Sequence, residues 1–439
     1  MTENNRYLSQ PTSFLRRFTT SVLASPGFRN RTLLAISFSV LGAYIGTAMI
    51  NPVRVLYAQA HGASLPIIGA MASAYLVSDF LFGYPLGWLA DRWGRKQVMI
   101  VGLAVQALLS ALYLPISDPF LFVVLRFLEG VAAAGLLPAA RALLIDAVPI
   151  EQQGEAFGIF NAFFNSSFLL GPALGGLIAT FGYSWAFMGA VFIRLVGIIL
   201  VMWLIRVHPV KRSLPPAIKK RPAVGSVFKE LFTWPLLAAY LIAFGDYLYL
   251  GFDLTVTPLW MHDHLYASVA VIGLTYTAWA IPNTICSPIG GKVADRRRRS
   301  SLILIFGLAQ VPLYLAYGLL SAALVVLLLF AIHGIVYAFI QPAIDAHLAA
   351  FSGSHVRARI QGLYSTVGLI GAFIGSSIFI PLYLINFRLP WFVMGLCYGL
   401  CVLIGGLIIR SRENKELWPS QEDRRVHSEG AASPVSFRP

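Results

Sequence analysis

The sequence predicts an all-α membrane protein with about twelve transmembrane helices in two related halves. Composition is the first reason. Of 439 residues, 57% are hydrophobic and 12% are charged, against about 25% charged in an average soluble chain. An internal repeat is the second. Gly87-Trp88-Leu89-Ala90-Asp91-Arg92-Trp93-Gly94-Arg95-Lys96 returns 204 residues later as Gly291-Lys292-Val293-Ala294-Asp295-Arg296-Arg297-Arg298-Arg299. The same spacing links Ser64 to Ser268, Gly69 to Gly273, Gly130 to Gly334, Pro138 to Pro342, Gly158 to Gly362 and Gly171 to Gly375. A register kept over that distance means a duplicated unit. In apolar chains, duplicated units place a binding site between the halves.

A crossing helix needs about 20 apolar residues. Lipid offers no partner for loose backbone groups, and the period-2 alternation of a barrel is absent, so the apolar stretches are helices. The first runs near 33–53 and includes Asn51-Pro52. The second, near 67–90, carries Asp79 and leads into the repeated segment. The third covers 98–114, and the fourth, 120–144, holds Arg126 and Glu129. The fifth, 157–181, has a run of small residues, and the sixth, 185–205, contains Arg194. The second half opens at 233–259 with Asp246, Asp253 and Thr257-Pro258. Stretches near 271–294, 302–319, 323–348, 360–385 and 391–409 complete it. Pro282 and Pro288 interrupt the eighth span, and Gln341-Pro342 the tenth. Prolines at these places fit helices that break or bend.

The formal charge of +14 invites a nucleic-acid partner, but its distribution argues against one. With the N-terminus cytoplasmic, Arg92, Arg95, Lys96, Arg206, Lys211, Arg212, Lys219, Lys220, Arg221, the Arg296 to Arg299 run, Arg357, Arg359 and Arg410 all fall inside. Arg54 and Arg388 are the basic exceptions in outer loops. Membrane orientation alone therefore accounts for the charge. Residues 1–32 are polar, lack the apolar core of a signal peptide, and read as a cytoplasmic tail. Residues 33–206 and 231–410 make the halves, 207–230 a cytoplasmic linker, and 411–439 a disordered cytoplasmic tail. Cys286, Cys397 and Cys401 fall in spans without His or acidic company and read as inert core.

Within the repeated segment, Gly87 permits close helix approach and Gly94 lets the chain turn. Asp91 sits at the membrane boundary, where it can cap a helix or pair with an arginine. Arg95 and Lys96 meet the anionic inner leaflet. This segment resembles motif A, G-x-L-A-D-R-x-G-R-K, of the major facilitator superfamily. The second copy keeps Asp295 but has Arg298 in place of the turn glycine. Arg126-Phe127-Leu128-Glu129-Gly130 resembles the family's motif B, whose arginine is linked to proton transfer. Asp146-Ala147-Val148-Pro149 resembles the end of span four, where a family aspartate joins a charge relay with the motif A residues, here Asp91 and Arg95. Gly171-Pro172-Ala173-Leu174-Gly175-Gly176 resembles motif C, G-P-x-x-G-G, of the antiporter branch, with Ser167 at its leading glycine position.

The resemblance covers about residues 33–409. It implies two pseudo-symmetric six-helix bundles, the major facilitator fold, with a central cavity lined by spans one, four, seven and ten. It also implies alternating access, governed by a conformational latch of Gly87, Asp91, Arg92, Gly94, Arg95, Lys96, Asp146 and Asp295.

An ionisable group at the bilayer midplane costs roughly 2.5–3.5 kcal/mol, so each calls for a reason. Candidates for proton coupling are Glu129, Asp246, Asp253 and Asp79, with Arg126 adjusting affinity. A fixed Arg126–Glu129 ion pair that only orients helices is the competing reading. Asp79 reads either as a proton or substrate contact, or as a packing acid held by serines or by Arg194. Arg194 reads as partnered by Asp79 or Glu129. Asp345 aligns with Arg141 across the repeat, which fits either a gate at the inner mouth or contacts within each half. His262-Asp263-His264 lies in an outer loop with no further ligand nearby, so no metal site is assigned.

Cavity candidates are the aromatics Tyr44, Tyr75, Tyr247, Phe252, Trp279 and Tyr337 and the amides Asn51, Asn161, Asn165, Asn283 and Gln341. That is too few amides for a sugar. The set suits an amphipathic or lipophilic molecule with one cationic or polar end. No phosphate-binding loop for ATP appears, and no cofactor is implied. The reading is a monomeric secondary active transporter in the cell membrane, among lipids, exporting small amphipathic or lipophilic compounds against protons. A lipid or glycolipid flippase of the same superfamily and a polytopic membrane enzyme are the alternatives. The enzyme would need a clustered catalytic set that the sequence lacks.

Overall fold

The computed structural model describes residues 30–148, 152–204, 230–351 and 357–416. Its elements are helices: α1 (Arg31–Ala60), α2 (Leu65–Trp93), α3 (Arg95–Leu112), α4 (Pro119–Ala134), α5 (Leu136–Ala147), α6 (Gln153–Ala179) and α7 (Tyr183–Leu204), followed by α8 (Trp234–Asp253), α9 (Val256–Asp263), α10 (Val269–Arg296), α11 (Arg299–Leu319), α12 (Ala323–Ala350), α13 (Arg357–Ile385) and α14 (Leu389–Glu416). Among the described residues, twelve segments are long and apolar enough to cross a membrane. Span four is α4 with α5; span seven is α8, and the short α9 follows it in the chain.

Local chemistry sets the ends. Asn30 Oδ1 accepts from the backbone N–H groups of Thr32 (3.0 Å) and Leu33 (3.1 Å), filling orphan donors at the start of α1. Asp118 does the same for Phe120 at 2.9 Å, with Pro119 in the first turn of α4. Gly94 turns the chain between α2 and α3 with φ +107°, a region that costs a side chain dearly. The start of α11 is capped from afar. The Glu413 carboxylate on α14 accepts from the N–H groups of Arg299 (3.1 Å) and Ser300 (3.3 Å) and from the Ser300 hydroxyl. That contact accompanies helix through Glu416, so 411–416, expected as tail, is helical. The rest of that tail, the 1–29 stretch and the linker from 205 to 229 lie outside the described residues.

Two of the expected spans are broken. Span four breaks at Gly135, and the expected seventh, 233–259, at Leu254–Thr255. Each break lies about one turn before a proline, Pro138 or Pro258, whose missing N–H cannot serve the carbonyl four residues back. Thr255 Oγ1 donates towards the Gly251 and Phe252 carbonyls, both at 3.2 Å, and quiets that end. Pro52, Pro282, Pro288 and Pro342 stay inside continuous helices, so the interruptions expected in spans one, eight and ten are not breaks.

Packing sorts the described residues into two compact units. One draws on Met1–Ala217 with Thr257–Thr277, the other on Ile218–Val256 with Ala278–Pro439. The sequence division at the linker differs in one piece, the segment 257–277, which groups with the first unit. Gln59 Nε2 donates to Asp263 Oδ2 at 2.9 Å, and Thr277 Oγ1 to the Leu169 carbonyl at 2.8 Å. At Gly176 an added Cβ would stand 2.6 Å from the Val269 carbonyl oxygen, so only glycine admits that approach. Gln59 and Asp263 are 204 residues apart, the spacing of the repeat, so equivalent positions meet here.

In the first unit α1 packs along α6 and α7, and α2 along α4. Its apolar core includes Leu33, Ile36, Val40, Met99, Leu103, Leu136, Ala140, Phe160 and Val201. In the second unit α8 packs along α13 and α14. That unit also encloses a polar network which the sequence reading did not anticipate. His333 Nε2 lies 2.8 Å from Gln310 Oε1, Tyr314 OH donates to the same oxygen at 3.1 Å, and Gln310 Nε2 donates to Tyr398 OH at 2.7 Å. The amide oxygen can only accept, so Nε2 of His333 carries the proton. Nδ1 is then left to accept from Tyr317 OH at 3.4 Å. All five side chains are buried. Gln310→Leu would orphan the His333 and Tyr314 donors together, at about 1–3 kcal/mol each. The expected result is a clear drop in melting temperature in detergent, while His333→Ala restores part of it in the Gln310→Leu background.

Candidate functional site

The first unit carries a buried charge cluster. Arg54 comes from α1, Arg126 and Glu129 from α4, and Arg194 from α7. Their exposures are 3%, 6%, 3% and 1%. Arg54 Nη2 lies 3.3 Å from one Glu129 oxygen and 3.2 Å from the other. Arg126 Nη1 lies 3.0 Å from Oε2 of the same carboxylate. Two guanidiniums therefore share one acid. Arg54 also donates to Asn51 Oδ1 at 3.0 Å and stands over the Tyr113 ring at 5.7 Å. Arg126 stacks on Tyr75 at 4.2 Å, a cation–π distance.

Several expectations change here. Arg54 was expected in an outer loop but lies inside α1, because the helix continues through Pro52 to Ala60. Extending the first apolar run past the proline, through Val53 and Val55 to Tyr57, would have captured it. Arg194 was expected beside Asp79 or Glu129. It donates instead to Ser110 Oγ, to the Gln106 carbonyl at 3.4 Å and to Thr47 Oγ1 at 3.2 Å, tying α7 to α3 and α1 with neutral acceptors. Asp79, on half-buried ground of α2, has no hydrogen bond or ion pair among the described residues, neither to a serine nor to Arg194. It lies within electrostatic range of the Tyr44 and Tyr75 hydroxyls.

At the end of the first unit that carries motif A, Arg95 joins three helices. Its Nη1 meets Asp146 at the end of α5 and the Ala142 carbonyl at 2.6 Å, and its Nη2 lies 3.3 Å from Asp91. Lys96 Nζ reaches the Met202 carbonyl on α7 at 2.9 Å. Arg92 stands over Trp88 at 5.5 Å. The structure thus brings Asp91, Arg95 and Asp146 together. Gly87, expected to admit a close neighbour, does not: a side chain there would meet nothing within 4 Å. Asp295 is in α10, and its side chain is outside the described set.

Motif C packs α6 against α1 and α10. An added Cβ at Gly171 would lie 2.6 Å from Ala48 Cβ, and one at Gly175 would overlap the Met49 carbonyl. Pro172 offers its carbonyl to the face of Gly273. Ser167, standing where the family has glycine, is buried and donates to the Leu41 carbonyl at 3.2 Å.

The second unit holds the other acids. Tyr337 OH on α12 donates to Asp246 Oδ2 on α8 at 2.8 Å and lies 3.3 Å from Gln341 Oε1. Gln341 Nε2 in turn donates to Asp345 Oδ1 at 3.1 Å, so Asp345 contacts its own helix. Trp279 packs on Tyr337 at 5.5 Å, and Tyr247 lies on the bare face of Gly368. Asn283 accepts from Ser287 at 2.7 Å through its backbone carbonyl. Asp253 ends α8, within electrostatic range of Tyr314 and Tyr317. Phe252, a cavity candidate, is 0% exposed and packs edge-on against Phe379 and Trp391, so it belongs to the core. Tyr44 packs against Phe164 at 4.7 Å, while Asn161 and Asn165 are exposed on α6. His262 is helical rather than in a loop, and its Nδ1 lies 2.8 Å from Asp263.

Membrane-length helices in related halves, with ionised side chains buried among them, define a polytopic secondary transporter. The comparisons with known proteins agree. The model of the Major Facilitator Superfamily matches residues 36–376 and 249–438. The chain belongs to that family. It is 25% identical over 397 residues to Multidrug resistance protein 2 of Bacillus subtilis, covering 88% of this chain and 96% of that one. It is 22% identical over 395 residues to the Quinolone resistance protein NorA of Staphylococcus aureus, covering 87% and 96%. Among solved structures, a bacterial homolog of the human lysosomal transporter Spinster matches with a TM-score of 0.69 at 16% identity, over 88% of this chain and 98% of that one. The nucleoside transporter NupG matches with 0.68 at 13% identity, over 87% and 99%. These likenesses establish the fold.

Proposed function

We propose that this transporter exports small amphipathic or lipophilic compounds by alternating access, driven by protons entering in exchange. It works as a monomer in the cell membrane, with both termini cytoplasmic. The relatives named for multidrug and quinolone resistance support the substrate class. The basic residues gathered at one end of the spans support the orientation.

One observation carries the coupling. Glu129 is already neutralised by two arginines, whereas Asp246 is held by a neutral phenol and has no ion pair among the described residues. A carboxylate within a span that lacks a cation takes a proton as its natural counter-charge. Asp246 can therefore load and release one as its surroundings alternate between wet and dry.

The test is transport in proteoliposomes with and without an imposed pH gradient. The substrate is whichever compound most stabilises the wild-type protein in a thermal-shift panel. Asp246→Asn is expected to remove gradient-driven accumulation by at least about fivefold, roughly 1 kcal/mol of coupling, while exchange down a substrate gradient continues. Coupling that survives Asp246→Asn and also Glu129→Gln, Asp253→Asn and Asp79→Asn ends the proposal.

A further inference from the structure

The polar end of the substrate is the feature on which the first unit speaks most directly. Arg54, Arg126 and Arg194 are buried there, and Glu129 is the one carboxylate within ion-pair distance of any of them among the described residues. Asp79 lies one turn beyond Tyr75 on α2. Counting it as well, the cluster keeps an excess positive charge. Each charge inside a span costs roughly 2.5–3.5 kcal/mol. Packing does not require that expense at Arg194, whose partners are all neutral acceptors that an uncharged amide could serve.

Some of the donors are also unspent. Arg54 Nε and Arg194 Nε are sealed from the surface and have no acceptor. Arg126 uses only Nη1, towards Glu129; its Nε and Nη2 have no acceptor among the described residues and are not fully buried. Its guanidinium carbon stands 4.2 Å from the centre of the Tyr75 ring, and Tyr75 is half-buried. On the neighbouring helices Tyr44, Phe164 and Phe168 form a run of edge-packed rings at 4.7 and 5.3 Å.

We infer that Arg126, supported by Arg54, is an anion-binding site for an amphipathic organic acid, a carboxylate, sulfonate or phosphate on an apolar body. The planar fork of Arg126 suits two oxygens of such a head. The tyrosine and phenylalanine rings take the body. Glu129 then serves as the built-in counter-ion that keeps the arginines tolerable when the site is empty. That such an anion is exported rests on the transport reading above; its binding does not.

Equilibrium binding to the full chain in nanodiscs tests this, using two probes with one ring system and opposite heads, 1-naphthaleneacetate and (1-naphthylmethyl)trimethylammonium. The acetate is expected to bind at least about tenfold more tightly than the ammonium. Arg126→Gln should weaken the acetate about tenfold and leave the ammonium unchanged, and Arg126→Lys should lose less. Glu129→Gln should strengthen the acetate severalfold, because it removes the competing carboxylate. Monodispersity on gel filtration qualifies each variant, and the lysine and Glu129→Gln variants suffice if Arg126→Gln does not fold. Tighter binding of the ammonium, or acetate binding indifferent to both Arg126→Lys and Glu129→Gln, overturns the site. Repeating the measurement with 1-oleoyl-lysophosphatidate assigns the anion to a lipid headgroup if it binds tighter than the acetate, and to a soluble acid if weaker. Acetate that binds as expected but shows no pH-driven flux would leave the site standing and remove the export reading.

Discussion

Replacing Gly175 with leucine will leave little or no folded protein in the membrane. Helices in lipid gain nothing from hiding apolar surface, so they associate by close contact between small residues. At Gly175 the contact is so close that one added carbon would overlap the Met49 carbonyl oxygen. The obstacle is backbone, which cannot rotate away. Overpacking a well-fitted site by a few atoms costs about 1–3 kcal/mol and sometimes more, against a total stability of about 5–15 kcal/mol. Leucine brings four carbons to the most extensive helix pairing in its unit, α1 with α6. Gly375, which faces the Leu248 carbonyl across α8 and α13, should behave alike in the second unit. Gly158→Ala is the control, since nothing lies within 4 Å of that position. Gel-filtration profiles of fluorescently tagged variants decide the matter; a wild-type peak for Gly175→Leu would contradict the packing.

Arg95→Ala, by contrast, should fold and transport more slowly. The side chain is partly exposed, and exposed ion pairs contribute only about 0–1 kcal/mol to stability. Its importance lies in what it joins: α2 through Asp91, α5 through Asp146 and the Ala142 carbonyl, and α3 on which it stands. As the latch of the proposed alternating-access cycle, this junction would set the balance between conformations. Losing a screened contact worth up to about 1 kcal/mol shifts such a balance by up to roughly fivefold. Flux in proteoliposomes should fall by about that factor while the melting temperature barely moves. Arg95→Lys should recover only part, because a point charge cannot reach two carboxylates and a carbonyl together. Wild-type flux in Arg95→Ala would remove the latch from the mechanism.

Much of this was legible without coordinates. Hydropathy gave the crossings because lipid forces long helices, and the repeated loop at Asp91 and Asp295 marked the duplication. The small-residue run at Gly171 to Gly176 flagged a tight helix contact, and the structure supplies Met49 and Val269 as what it touches. Gly87 shows the limit of such reading, since this glycine of motif A stands in open space. The proline signals failed in part for a related reason. A proline lacks one hydrogen bond wherever it sits, yet among the described residues only Pro138 and Pro258 lie one turn beyond a break within an expected span. Surrounding helices decide whether the freed carbonyl is tolerated.

By itself the sequence determined the class of protein, the number of crossings and most of the costly charges, with Arg54 the one it misplaced. These follow from composition and spacing, which the bilayer reads one helix at a time. Only the tertiary structure decided which charges meet. Arg54 and Glu129 are 75 residues apart, and no periodicity links them. Gln310 and Tyr398 are separated by 88. Such pairings depend on the rotation of each helix about its axis, and packing against neighbours sets that rotation.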